Sequence, residues 1–404
     1  MSRLRELRTQ QFASLREQAS KIGIAVGTLL AAEHGKPLRA DTIQLICQYY
    51  GKTETELGLI RQRRQSRTAP KEDEMQRREA LTLLAGGSGL ALLAGTGSLS
   101  LTREEELTIA RTLVGALWRT SLSEDVETVA QVTGWLLKFL ERDPGLLKTS
   151  KEAAQVAAEG HLIAAIAARH LLQPGERLRH LQEAERYACL AGAPLLQMAV
   201  YSYLGYSYNF NLAPGMKGYK PQPETARLWF QRGLAVNGGP TSSAMEATLL
   251  MGQAEAHSLL QEYRAAVKAL GQAEMRYAAT VPANDPGYAL ADTPPHSVPL
   301  WKARIFLNLG RVREALEALE ESQRLYHTEW RDGRGLVDLH PQRMAVALAL
   351  GDQDLFVEAL QASIEGIQRS KSRYGQAEVK QLLKQGQTRW PQTKQLSEWE
   401  ALIE

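Results

Sequence analysis

ASLREQASKIGIAVGTLLAAEHGK, residues 13–36, decides how this chain is read. Lys21-Ile22-Gly23-Ile24 separates two short helix-forming stretches, and Gly35-Lys36-Pro37 stops the second. Ser14 with Glu17 three residues on has the spacing of a capping box, in which the two side chains satisfy open backbone N–H groups at a helix start. The pattern predicts two helices packed across a glycine turn at Gly23. The second carries Ala25, Val26, Gly27, Leu30 and Ala31 on the face expected to be exposed, an apolar surface where a reader of bases is usually polar.

Outward from this stretch, the chain has 404 residues, enough for two or three domains. It is rich in Ala, Leu, Glu, Gln and Arg, and period-two runs of β-branched residues are nearly absent. An all-α fold is expected. The net charge of +3 conceals an asymmetry. Residues 1–78 hold 15 Lys/Arg against 9 Asp/Glu, which leaves 33 basic against 36 acidic residues in the remainder. A basic head on a slightly acidic body suits nucleic-acid contact by the head. Cys47 and Cys189 form no CxxC and read as two core thiols of a reducing compartment. The N-terminus has no apolar h-region, so a cytoplasmic protein is expected.

Three parts are expected: a small head at 1–65, a linker at 66–100, and a helical body at 101–404. The head reads as about five short helices, with Ile43, Ile46, Cys47 and Tyr50 on one face of the fourth. The linker begins polar and charged and contains Pro70. Arg77-Arg78 before an apolar, glycine-rich stretch resembles a twin-arginine export signal. Its position more than seventy residues in, and its shortness for a span, favour a connecting segment whose Leu81–Leu93 packs into the body; no stable membrane insertion is expected.

Segment 7–57 resembles the lambda-repressor-like, XRE-type helix-turn-helix domain of bacterial regulators. The likeness rests on Ser14, Ala19 as the small contact between helices, the Gly23 turn, Ile24, Thr28 and Leu29, the closing Glu33-x-Gly35-Lys36, and Thr53-x-x-Glu56-Leu57. It implies DNA binding as a homodimer. Arg16, Lys21, Thr28, Lys36 and Arg39 are the residues expected at DNA; they can hold phosphate but do not read sequence. Leu15 stands where the family usually has Gln, and no Arg, Lys, Asn or Gln faces the major groove. The alternative is a degenerate domain used for dimerisation or partner docking.

The body is helix after helix. Tyr201-x-x-Leu204-Gly205-x-x-Tyr208, followed by Ala226 and Phe230, is similar to the helix-pair signature of tetratricopeptide repeats, with Tyr for the usual Trp. Ala266 and Ala315 lie 49 residues apart; removing the 15-residue insertion at 281–295 leaves 34, the period of that repeat. Consensus residues fill the seam between helices, and Tyr201 and Tyr208 belong to it. The offset positions, Ser202, Tyr206, Asn209, Glu255, Ser258, Arg304 and Asn308, are expected to be exposed in a ligand groove. Asn clamps a peptide backbone and Arg suits a carboxylate. A helix-turn-helix followed by such repeats looks like the peptide receptors of the PlcR and Rgg group, which implies a regulator sensing a peptide or protein. The alternative is a non-DNA-binding scaffold or adaptor protein. No enzyme motif, cofactor motif or metal-ligand spacing is present: the eight His make no HExxH, and Gly86-Gly87-Ser88-Gly89 lacks the Lys of a phosphate loop.

Overall fold

The computed structural model describes residues 15–24, 26–33, 38, 40–57, 59, 102–120, 126–209, 220–329, 333–393, 396 and 399. Among them the regular elements are helices, as expected for an all-α chain. The chain divides into two compact units, Met1–Thr82 and Leu83–Glu404. The expected linker at 66–100 lies outside the described residues.

The first unit contains α1 (Leu15–Ile22), α2 (Val26–Glu33), α3 (Ala40–Tyr50) and α4 (Glu54–Leu57). Gly23 has φ +80°, and the Ile24 N–H donates back to the Ala19 carbonyl at 3.0 Å. That six-residue closure ends α1 in a left-handed residue that glycine adopts without strain. Gly51, φ +61°, ends α3 the same way, with the Lys52 N–H on Cys47 O at 3.2 Å. Ala19, Ile22, Leu29, Ile43, Ile46 and Leu57 are buried together, and Ile24, Cys47 and Tyr50 pack against them. The Gln18 amide donates to Tyr50 Oη at 3.0 Å, tying α1 to α3. Thr53 and Glu56 form a reciprocal capping box on α4, with Thr53 N–H on Glu56 Oε2 at 2.8 Å.

The second unit continues with α5 (Arg103–Thr120), α6 (Val126–Leu140), α7 (Pro144–Thr149), α8 (Lys151–His170), α9 (Pro174–Ala191), α10 (Pro194–Asn209), α11 (Pro223–Leu234), α12 (Ser243–Leu259), α13 (Tyr263–Ala278), the short α14 (Tyr288–Ala291), α15 (Ser297–Asn308), α16 (Val312–Glu329), α17 (Gly333–Leu350), α18 (Gln353–Ser370) and α19 (Arg373–Arg389). Four hairpins turn on one backbone device. Leu172, Gln261, Gly310 and Gly351 all have φ between 59° and 76°. The next N–H in each case bonds back five residues: Gln173 to Ala168, Glu262 to His257, Arg311 to Phe306 and Asp352 to Ala347, at 2.8–3.0 Å. Such short turns lay α8 on α9, α12 on α13, α15 on α16 and α17 on α18.

Alternate helices form a second set of contacts. α8 touches α10, α10 touches α12, α12 touches α15, α15 touches α17 and α17 touches α19. α19 then packs back on α8, so this inner layer closes on itself. The closure is chemical as well as steric: His170 and Ser372 hydrogen-bond at 2.9 Å, and the Arg169 guanidinium lies over the Tyr374 ring at 4.4 Å.

Small residues permit the close approach. Phe230 on α11 is fully buried, its ring set between Gly205 of α10 and Gly252 of α12. Phe356 on α18 meets Gly386 of α19 in the same manner. The insertion at 281–295 is part of the packing: Asp285 accepts from Ser242 Oγ at 2.5 Å and from the Ala244 N–H at 3.0 Å, capping α12. One expectation is corrected. Cys189 is exposed, because its position on α9 turns it away from the seam that Ala184, Tyr187, Ala188 and Ala191 fill; Cys47 is half-buried.

Candidate functional site: the polar interior of the helical array

The inner helices bring together polar and charged side chains that lie far apart in the chain, from Arg169 on α8 to Glu378 on α19. Two cavities lie there. The smaller, about 130 Å³, is lined by Arg169, His170, Arg177, Ser202, Tyr206, Trp301, Arg304 and Asp338 among others. The larger, about 230 Å³, is lined by Asn209, Glu255, Arg304, Asn308, Tyr374 and Glu378 among others. Arg304 belongs to both.

Six of the seven residues expected at the groove are linked into one network here, joined through Arg304 and Glu255. Arg304 pairs with Glu255 at 3.1 Å, and Asn209 Nδ2 donates to Glu255 Oε2 and to Gly252 O, each at 3.0 Å. Asn308 Nδ2 donates to Ser258 Oγ at 3.0 Å, and Ser258 in turn donates to Glu255 O at 2.7 Å. Tyr206 donates to Thr248 O at 2.8 Å and stacks on Trp301 at 4.5 Å, while Arg304 lies over the Trp301 ring at 4.9 Å. Ser202 lines the smaller cavity beside them. Their expected exposure is corrected: Ser202, Tyr206, Asn209, Glu255 and Ser258 are all buried. Closure of the inner layer takes these positions out of solvent, and a buried polar group must then find a partner. Asn209 Oδ1 remains buried with no hydrogen-bond partner.

Spacing along the sequence did not reveal the residues that α8, α9, α17 and α19 contribute. Arg169 pairs with Asp338 at 3.2 Å. Burial alone lowers its pKa, yet Asp338, Tyr374 and Glu378 outweigh that and hold the guanidinium above its ordinary value. Burial pushes the Glu378 carboxyl up to about 7 against the pull of Arg304 and Arg169, and Asp338 adds to the rise. Burial likewise raises Glu255 in spite of Arg304 and Asn209, and pushes Tyr374 up to about 12. Arg177 is 3% exposed, and its Nε donates to Ser207 Oγ at 2.7 Å. The signal available in the sequence was Arg169-His170 closing the Ala-rich α8, a charged pair at the end of a helix otherwise built for burial.

A histidine pairing also escaped the spacing argument. His161 and His180 Nδ1 atoms lie 2.9 Å apart, and the His161 ring stacks on Tyr187 at 5.6 Å. Burial first, then His180, Arg179 and Arg186, push His161 down to about 3; burial and Arg179 push His180 down to about 4. Among the described residues no group of three His, Cys, Asp or Glu has the geometry to hold a metal ion. A hollow of about 710 Å³ along Pro194, Asn237, Glu246 and Arg276 is an open surface groove whose Arg276 is paired with Glu246 at 2.9 Å.

In the first unit, Lys21 is exposed at the end of α1 and Thr28 is half-buried on α2. Lys36, Arg39 and the Arg16 side chain lie outside the described residues, as do Ser14, Ala25 and Gly35. Leu30 on α2 is 40% exposed. Among the described residues no helix is long and apolar enough to cross a membrane. No family model matches this chain, and no curated protein matches it significantly.

Proposed function

We propose that the chain is a DNA-binding transcriptional regulator, of the helix-turn-helix kind, whose helical repeat body senses a peptide or protein ligand and mediates dimerisation in the cytoplasm. The observation that carries this reading is the polar interior of the body. A layer of inner helices whose Arg, Asn, Glu and Tyr side chains converge on two cavities is chemistry for recognition, since a purely structural array fills that space with apolar side chains. The head supports the DNA half of the reading. α1 and α2 meet across the Gly23 turn over a shared core, and the unit that contains them carries the basic excess of the chain. Ligand binding would bias the body between two arrangements and so the spacing of two heads on DNA.

The test is binding of the full chain to random duplex DNA at two salt concentrations. The regulator binds at low salt and loses affinity steeply as salt rises, and K36Q with R39Q flattens that slope by about two charges. R304Q leaves the slope unchanged. No binding at low salt sinks the DNA half and leaves a scaffold or adaptor protein. That second reading is favoured by one observation, the exposed Leu30, Leu45 and Tyr49 of the head, which suit protein contact better than bases.

A further inference from the structure

Three guanidiniums line the smaller cavity, and they are not equivalent. Arg169 has Asp338 at 3.2 Å, and Arg304 has Glu255 at 3.1 Å. Arg177 donates through Nε to Ser207 Oγ, and among the described residues no carboxylate stands within ion-pair distance of it. The residue is only 3% exposed, yet it lines a space of about 130 Å³. A buried cation without a counter-charge costs several kcal/mol, which an incoming anion recovers. Burial, and then the neighbouring Arg169, push the Arg177 guanidinium down to about 9, as expected of a cation short of negative charge.

The volume corresponds to about four water molecules, room for a small organic acid or the end of a chain. Asp338 and Asp292 also line the space, Asp338 held by Arg169 and Asp292 accepting from Tyr203 Oη at 3.2 Å. They oppose a dianion more than a monoanion. A planar, singly charged carboxylate matches one open guanidinium fork.

We propose that the cavity bounded by Arg177, Ser202, Tyr206 and Trp301 is a subsite for a small carboxylate, seated on the open edge of the Arg177 guanidinium. The carboxylate is either a free organic acid or the C-terminus of a peptide. The inference does not depend on DNA binding by the head, and free acid tests it without any peptide.

The experiment is thermal melting and titration calorimetry of the full chain with sodium acetate, L-glutamate and inorganic phosphate at matched ionic strength, and with tetra-alanine as free acid and as amide. A rise in melting temperature with acetate or glutamate assigns a free acid. A rise with tetra-alanine acid but not its amide or acetate assigns a chain terminus. Either supports the subsite provided that R177Q loses at least about tenfold in affinity. R177Q by itself should melt no lower than the parent, since it removes an uncompensated buried charge. If it does not fold, Arg177→Lys keeps the charge, loses the fork, and should bind about tenfold more weakly. A response to phosphate alone, no response to any carboxylate, or equal responses with and without Arg177 overturns the proposal.

Discussion

A single methyl group at Gly252 tests the packing on which the polar interior depends. Gly252 is mid-helix in α12, and a Cβ there would run into the Phe230 ring. The equivalent Cβ at Gly205, on the opposite side of that ring, would stand 2.5 Å from Phe230 Cε1, where ordinary contact is 3.4–4 Å. The ring is fully buried between the two glycines and has no direction in which to yield. Overpacking of this kind costs about 1–3 kcal/mol, and the clash at Gly252 is closer than at Gly205, so about 3 kcal/mol is expected before helix propensity is counted. Propensity works the other way, returning about 1 kcal/mol for Gly→Ala in a helix interior. The net loss for G252A is therefore about 2 kcal/mol. Gly271, within α13, has nothing within 4 Å of its Cβ position and supplies the matched control. G271A should gain about 0.5–1 kcal/mol. Urea unfolding followed by circular dichroism reads both, and the two midpoints should move in opposite directions. F230L relieves the clash, so G252A in that background should cost about 2 kcal/mol less than in the parent. Midpoints that shift together, or strict additivity of G252A and F230L, refute the reasoning.

Acid should destabilise the body through His161 and His180. Both imidazoles have folded pKa values, about 3 and about 4, below the free value of 6.5. Their stabilisation is fully present above pH 6.5 and is lost as pH falls from there toward 4 for His180 and toward 3 for His161; at pH 5 His161 alone accounts for about 2 kcal/mol. H161N should flatten the stability profile between pH 7.5 and 5 by about that amount in equilibrium unfolding. R304Q leaves Glu255 buried with Asn209 as its remaining polar partner and should cost about 3 kcal/mol, most of which R304M with E255L recovers, measured as unfolding midpoints. Gly310, φ +74°, ends α15 in the left-handed region, so G310A should cost about 1 kcal/mol in the same assay.

Much of the local structure was legible in the residues. Gly23 announced the turn between α1 and α2, and Ile43 and Ile46 announced the buried face of α3. In the body, Gly205, Ala226 and Phe230 identified a seam that the structure contains. Each of these is a short-range signal, set within one or two helical turns. The groove positions were legible as a set of residues facing one side of their helices, but their environment was not. Glu255 and Asn209 were expected in water and stand buried, bonded to each other.

What the sequence by itself determined is therefore the all-helical character, the turn at Gly23 and the seam at Gly205 and Phe230, because turn chemistry and period act between neighbours in the chain. What only the tertiary structure decided is which charges meet. His170 reaches Ser372 across 202 residues and Arg169 reaches Asp338 across 169. Those meetings follow from the contacts between alternate helices, the last of which packs α19 on α8. Nothing at Arg177 itself records that the packing of distant helices would leave it facing a cavity with no described carboxylate within ion-pair distance.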